Sequence, residues 1–248
     1  MKSTAVTYSA EQLRIENDRF RSQPPQTVQK WALDEFGSAV TLACSFGAED
    51  VALVDMVTKL HPSPRIFCLD TGRLHSETYE VMDVIRDRYG VTIETYFPQA
   101  DAVERMVRAK GVNLFYHSVE NRKECCGVRK VEPLGRALAG TKAWITGLRS
   151  AQAVTRTATP MIEWDEAHGG IAKINPLITW SEEQVWDYIK SNKVPYNTLH
   201  DQGFPSIGCA PCTRPIKPGE DIRAGRWWWE SPEHKECGLH GRTSAPAR

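Results

Sequence analysis

Apolar residues in the first half of the chain alternate between two patterns. AVTLACSF (39–46) is a nearly continuous apolar run, as expected of a strand covered on both faces. After Gly47, EDVALVDMVTKL repeats its apolar residues at helical spacing. RIFCLD (65–70) predicts a second buried strand, and SETYEVMDVIRDRYG (76–90) a helix capped by Ser76 and stopped by Gly90. VTIETYF (91–97) alternates and predicts a third, less buried strand; ADAVERMVRAKG (100–111) predicts a helix and KAWITGL (142–148) a further strand. Strand–helix alternation of this kind predicts an α/β fold, a mostly parallel sheet with helices on both faces. Further on, MIEWDEAHGGIAKINPL (161–177) predicts a hairpin about Gly169-Gly170. SEEQVWDYIKSNK (181–193) predicts a helix with Ser181 and Gln184 in capping-box spacing. From Gly203 onward the chain is rich in Gly, Pro, Cys, Arg and Trp and loses periodicity. With no internal repeat or clear linker, it divides into an N-terminal helical extension (1–30), an α/β domain (31–202) and a loop-rich C-terminal segment (203–248).

The totals narrow the function classes. Apolar residues are 41% of the 248 and charged residues 25%, an ordinary globular balance. Lys and Arg number 31 and so do Asp and Glu, which argues against a broadly basic nucleic-acid surface. The opening MKSTAVTYSAEQLRIENDRF lacks the apolar stretch of a secretory signal, and no apolar run approaches membrane-spanning length. The expectation is a soluble, cytoplasmic protein with no nucleic-acid or membrane partner.

Seven cysteines cannot all pair within one chain. In a reducing compartment, clustered cysteines point to metal binding or chemistry rather than to structural disulfides. Cys44 and Cys68 sit in apolar strands and read as small core residues. Cys125 and Cys126 are adjacent in RKECCGVRK, and Cys209 and Cys212 form C-x-x-C in GCAPCTRP. Two adjacent residues cannot easily aim both sulfurs at one small tetrahedral ion. A [4Fe–4S] cube, whose iron corners are spaced apart, suits them better, with a four-thiolate zinc site as the alternative.

Anion-binding chemistry accompanies the thiols. SFGAED (45–50) is a glycine-containing turn at a predicted helix N-terminus, where backbone N–H groups and the helix dipole favour phosphate. It lies at the carboxyl end of a strand, as does LDTGRLH (69–75), where open α/β sheets bind ligands. Lys130, Arg149, Arg156, Arg214, Arg223 and Arg226 flank these motifs, and guanidinium geometry suits phosphate or sulfate. Cys237 stands in the polar segment ECGLH, where His240, Arg223, Arg226 and Lys235 are candidates to favour its thiolate, the attacking form. The run Trp227-Trp228-Trp229 reads as packing. His61, His117, His168, His200 and His234 read as structural or exposed.

Taken in order, SFGAED, LDTGRLH, ECCGVRKVEPL, GLRSAQAVTR, GCAPCTRP and ECGLH resemble the assimilatory sulfonucleotide reductases, from about residue 30 to His240. The nearest likeness is to the iron–sulfur branch of the APS/PAPS reductase family, the adenylylsulfate (APS) reductases. That resemblance implies an adenine nucleotide alpha hydrolase-like fold related to the ATP pyrophosphatases. It implies a [4Fe–4S] cluster on Cys125, Cys126, Cys209 and Cys212, and Cys237 as the nucleophile. By the same likeness Ser45, Phe46, Gly47, Leu69, Thr71 and Gly72 line the nucleotide site. Lys130, Arg149, Arg223, Arg226 and His240 lie near the sulfate and phosphate. The implied activity is reduction of APS to sulfite and AMP through an enzyme S-sulfocysteine, with thioredoxin or a glutaredoxin-like protein as reductant, in sulfate assimilation and cysteine biosynthesis. A homo-oligomer is possible. The alternative is a reductase of 3′-phosphoadenylylsulfate (PAPS), or one using both. The chain departs from the S-G-G-x-D-S loop of the pyrophosphatases in having Phe46 at the first glycine position, which suits a nucleotide with one phosphate.

Overall fold

The computed structural model describes residues 8–152, 159–231, 235, 238 and 239. Five of its strands are parallel and one is antiparallel, in the order β3-β2-β1-β4-β6-β5. Strand β1 (Val40–Ala43) lies between β2 (Ile66–Leu69) and β4 (Ala143–Ile145), both parallel to it. β3 (Ile93–Tyr96) forms one edge and is only half-buried, as its alternating pattern predicts. β5 (Ile162–Asp165) and β6 (Ile171–Ile174) form the antiparallel hairpin, and β6 joins β4 in parallel. Gly169 and Gly170 supply positive φ values of 91° and 71° in the turn between them, a backbone region favourable only to glycine.

Period-two alternation assigns each strand residue to a face. Ile66, Cys68, Ala143, Ile145, Ala172 and Ile174 enter one large core with residues of α2 (Pro25–Phe36), α3 (Ala48–Leu60), α4 (Ser76–Tyr89) and α8 (Glu182–Asn192). Phe67, Trp144 and Ile171 point to the other face and meet Leu134, Ala137 and Leu138 of α7 (Glu132–Leu138). Helices thus cover both faces. α3 is the central helix: every residue from Ala48 to Val57 except Glu49 is buried, so it reads as apolar nearly all round. The exceptions among these buried residues are Asp50 and Asp55; Asp55 accepts hydrogen bonds from Tyr89, Tyr188 and Lys59 at 2.6–2.9 Å.

α1 (Ala10–Phe20) begins with a Ser9/Gln12 capping box. Its Asn17 amide donates to the Ile162 carbonyl at 2.7 Å and accepts from the Ile162 amide at 3.0 Å, covering part of the open edge of β5. α2 runs unbroken through residue 30 and buries Val28, Ala32 and Phe36 in the main core. One cap differs from expectation. Ser76 is the first helical residue of α4, and His75 occupies the cap position without a side-chain bond. Gly90 does stop that helix, in the left-handed conformation. α5 (Ala100–Lys110) and α6 (Val119–Cys126) complete the set. Between α6 and α7 the chain makes a π-helical turn over Gly127–Val131, a local widening often found at functional sites. No helix among the described residues is long and apolar enough to cross a membrane.

Candidate functional site

The chain order β1–β2–β3 runs toward one edge, and β4 then starts on the other side of β1. This reversal opens a crevice at the carboxyl ends of β1 and β4, the usual ligand position in such sheets. Ser45, Phe46 and Gly47 fill the turn from β1 into α3. The Ser45 amide and hydroxyl both donate to Asp50 Oδ2 at 2.6 Å, and Gly47 is the helix N-cap. Phe46 takes a φ of +62°, unusual for a residue with a side chain, and its ring is fully buried. The backbone there is what a glycine would adopt easily, while the ring anchors the turn in the core. Burial pushes the Asp50 carboxyl up to about 6, against the Ser45 hydrogen bonds that favour its anion. Across the crevice, Arg149 is buried and its Nε donates to Glu49 Oε1 at 2.7 Å.

A cleft of about 230 Å³ occupies the crevice. Ser45, Gly47, Leu69 and Thr71 line it from the strand ends; Lys130, Arg223 and Arg226 line it with positive charge. Three other predicted residues stand behind the wall. Phe46 points into the core, Arg149 is tied to Glu49, and Gly72 (φ +68°) shapes the turn after β2, its amide donating to Asp70 Oδ1 at 2.7 Å. Leu239, two residues beyond Cys237, lies on the cleft and packs beside Phe67 and Leu134. Cys237, His240 and Arg156 lie outside the described residues. Arg214 is turned away, paired with Glu220 at 3.1 Å. Sequence reasoning missed Trp144, Gly147 and His200, which also line the cleft. Trp144 was visible only as an apolar strand residue; its Nε1 donates to Asp165, which His168 also contacts at 2.7 Å. Burial lowers the pKa of His200, opposed by the nearby Glu49 carboxylate.

A second, smaller chamber of about 20 Å³ adjoins the cleft. Cys125, Cys126, Cys209 and Cys212 all line it. α6 delivers the first pair at its last two positions, and a 3-10 turn over Ala210–Cys212 delivers the second. That turn is held by the Ala210 amide donating to the Arg73 carbonyl at 2.8 Å and by Tyr116 donating to the Pro211 carbonyl at 2.7 Å. The Thr71 hydroxyl is 3.3 Å from Cys209 Sγ. Burial raises the Cys125 thiol, opposed by Arg129, and pushes Cys212 up to about 12. Arg73, Arg122, Arg129 and Lys130 surround the sulfurs with the positive charge that four thiolates need. Arg129, a residue the sequence did not single out, sits on the π-helical turn and donates to the Thr71 carbonyl at 2.6 Å. Among the described residues no three His, Cys, Asp or Glu groups are placed to share a single metal ion. Four soft donors around one chamber, with no carboxylate on its wall, fit a polynuclear iron–sulfur group better than one compact ion. Lys130, Arg226 and Trp227 line both chambers and form the partition between them.

These features have counterparts in known proteins. Residues 39–215 match the phosphoadenosine phosphosulfate reductase domain. The chain is 56% identical over 208 residues to the adenosine 5'-phosphosulfate reductase of Allochromatium vinosum, covering 84% of this chain and 81% of that one. Among solved structures, the phosphoadenylyl-sulfate (PAPS) reductase of Candida auris, in a phosphate complex, matches with a TM-score of 0.74 and 32% identity over 85% of this chain and all of that one. FMN adenylyltransferase from Candida glabrata, at 13% identity and a TM-score of 0.55 over 93% of this chain and 78% of that one, shares the fold alone. A parallel sheet with its crevice at the β1/β4 reversal, and likeness on this scale over most of the chain, show that it belongs to the phosphoadenosine phosphosulfate reductase family.

Proposed function

We propose that this chain reduces APS to sulfite and AMP, with Cys237 as the nucleophile and a thioredoxin-type protein as the reductant. The observation that carries the reading is the shared partition: a cleft at the sheet's crevice, lined with cationic side chains, backs directly onto a four-cysteine chamber. The A. vinosum relative, named for APS reduction, supports the same substrate.

The sulfate sulfur of APS is shielded by negative oxygens, so attack by a thiolate requires surrounding positive charge. Lys130, Arg223 and Arg226 supply it on the cleft wall. The Cys237 thiolate forms a bond to that sulfur. The bond from sulfur to the AMP phosphate oxygen breaks, and AMP leaves with the electron pair. A thioredoxin thiolate then attacks Cys237 Sγ and expels sulfite, and the second thioredoxin cysteine resolves the mixed disulfide. Both electrons therefore come from the thioredoxin dithiol. Cys125, Cys126, Cys209 and Cys212 would hold a [4Fe–4S] cluster, which when bound would supply a charged centre close to the substrate cleft. Residues 31–202 supply the nucleotide side of the site, and 203–248 supply the second cysteine pair and the tail. In the cytoplasm a reducing milieu keeps these thiols available.

The deciding experiment is turnover of APS against PAPS by anaerobically purified protein with thioredoxin. Sulfite release from APS, abolished by Cys237→Ser with iron content intact, is the expected result. Equal or faster turnover of PAPS favours the second reading, to which the likeness to the C. auris PAPS reductase lends weight. Full activity in the Cys237→Ser variant refutes the nucleophile assignment.

A further inference from the structure

The cleft has two kinds of polar wall. Lys130 and Arg226 stand on the partition it shares with the cysteine chamber, and Arg223 adds its charge beside them. Glu49 and His200 line the cleft but not the cysteine chamber. The side-chain charges that act on the His200 ring are the carboxylates of Glu49 and Asp201. One part of the space therefore offers cations and another offers hydrogen-bond acceptors.

His200 is firmly presented. It lies on a 3-10 turn, Thr198–Gln202, capped by Asn197. The Asn197 side chain is wholly buried, donating to Thr78 Oγ1 at 3.1 Å and accepting from the Leu199 amide at 3.0 Å. The Trp186 ring packs edge-on, 5.1 Å from the imidazole. Burial disfavours the charged form of His200, while a hydrogen bond to the Phe204 main chain favours a proton on the ring. The Phe204 amide already donates to the Leu199 carbonyl at 3.1 Å, so the ring donates to the Phe204 carbonyl. Nε2 is buried without a partner among the described residues, which makes Nδ1 the donor. In the uncharged ring Nε2 then carries a lone pair and no proton. A buried acceptor of this kind is costly unless a ligand supplies a donor.

APS carries its charge on phosphate and sulfate, which the cations attract, and its ribose hydroxyls remain to meet an acceptor. PAPS has a phosphate in place of the 3′-hydroxyl. That change removes a donor and brings negative charge toward the Glu49 carboxylate. A site built around a hydrogen bond from a substrate hydroxyl discriminates strongly against an analogue lacking it, because its own buried acceptor is left unpaired.

We propose that His200 is a specificity-determining residue: its Nε2 accepts a hydrogen bond from the ribose 3′-hydroxyl of the bound nucleotide, and with Glu49 it selects APS over PAPS. The inference deepens the proposed function and rests on the cleft holding the adenosine part of APS.

The test is calorimetric titration of AMP, 3′-deoxy-AMP, 2′-deoxy-AMP and adenosine 3′,5′-bisphosphate into the anaerobically purified protein and its His200→Phe and His200→Gln variants. Phenylalanine keeps a ring against Trp186 and deletes the acceptor. Glutamine supplies an acceptor of its own and serves as the second variant should the first fold poorly. The wild type is expected to bind 3′-deoxy-AMP about tenfold more weakly than AMP, the size of a lost hydrogen bond with its acceptor left unpaired. In His200→Phe, AMP falls to the same weak level and removal of the 3′-hydroxyl carries no further penalty; His200→Gln retains part of the penalty. The bisphosphate binds the wild type more weakly than AMP, and the gap narrows in His200→Phe. Equal affinity of the wild type for AMP and 3′-deoxy-AMP, a measurement that needs no variant, overturns the proposal. So does a bisphosphate that binds as tightly as AMP, a penalty that survives undiminished in His200→Phe, or one that follows the 2′-hydroxyl instead. A wild-type chain with the expected ribose preferences that releases no sulfite from APS refutes the functional reading and leaves the role of His200 standing. Sulfite release without those preferences refutes the role of His200 alone.

Discussion

Replacing Gly147 with alanine tests the geometry of the cleft at its tightest point. Gly147 follows β4 and faces the start of α3; a β-carbon there collides with the Asp50 carboxylate and comes within 2.9 Å of Glu49 Cβ. Neither side can back away freely. The Thr146 amide donates to the Ile174 carbonyl at 2.9 Å and its hydroxyl to Asn175 at 2.5 Å, while Arg149 is locked to Glu49. Asp50 is held by both Ser45 donors. Relief therefore requires the Asp50 carboxylate to turn and give up at least one of those bonds. Overpacking costs about 1–3 kcal/mol and a lost hydrogen bond to a charged group about 1.5–3 kcal/mol, together roughly 3–5 kcal/mol. At about 2–4 °C per kcal/mol for a chain of this size, Tm falls by roughly 6–20 °C. Differential scanning calorimetry reads that shift, and AMP titration reads the accompanying loss of affinity as the Ser45 turn moves. Gly135→Ala is the internal control, since its position in α7 has open space around it and alanine favours the helix by about 1 kcal/mol. Wild-type Tm and AMP affinity in Gly147→Ala refute the reasoning.

Cys209→Ser removes one wall of the small chamber, and iron per chain falls from about four to below one in a colorimetric assay if the cysteines hold a [4Fe–4S] group; unchanged iron eliminates Cys209 as a ligand. The Asp50 carboxyl, raised by burial from 3.8 to about 6, is stabilising while protonated below pH about 4 and loses that contribution, up to roughly 3 kcal/mol, as pH rises through 6. Asp50→Asn cannot ionise, so its thermal stability lacks this decline between pH 4 and 7; an identical pH profile in the two proteins contradicts the assignment. Trp144→Phe keeps the apolar ring but deprives the buried Asp165 of a donor at 3.0 Å, and a loss of about 1.5–3 kcal/mol in urea denaturation is expected; a variant as stable as wild type rules the hydrogen bond out as a stabilising one.

The sheet was legible because its strands are buried on both faces and therefore stand out as apolar runs. AVTLACSF, RIFCLD and KAWITGL contain β1, β2 and β4, although the ladders themselves are shorter than the runs. VTIETYF alternates because β3 is an edge strand with one side wet. The anchored helix ends with local chemistry, Ser181–Gln184 and Gly90, were legible too. Where tertiary contacts decide, the pattern was silent. Ser76 looks like a cap, yet His75 sits in that place, its ring against Phe204 from the distant C-terminal segment. Nothing in GVRKV announces a π-helical turn, nor that its two basic residues face the cysteine chamber. Arg122 reads as a surface residue in ENRKE; only the return of Glu230, 108 positions later, makes its burial possible. The charges of Arg149 and Arg223 are equally plain in the sequence, but one is committed to Glu49 and the other borders the cleft.

The partition of Lys130, Arg226 and Trp227 makes the two chambers partners in a single electrostatic unit. A cation on that divider attracts anions from either side, and each anion it serves weakens its hold on the next. Linkage makes this traffic symmetrical: whatever a doubly charged guest in the cleft does to the affinity for negative charge among the sulfurs, the sulfurs do in equal measure to the guest. A change in negative charge among the sulfurs is therefore registered as a change in anion affinity in the cleft, without any element of the fold having to move.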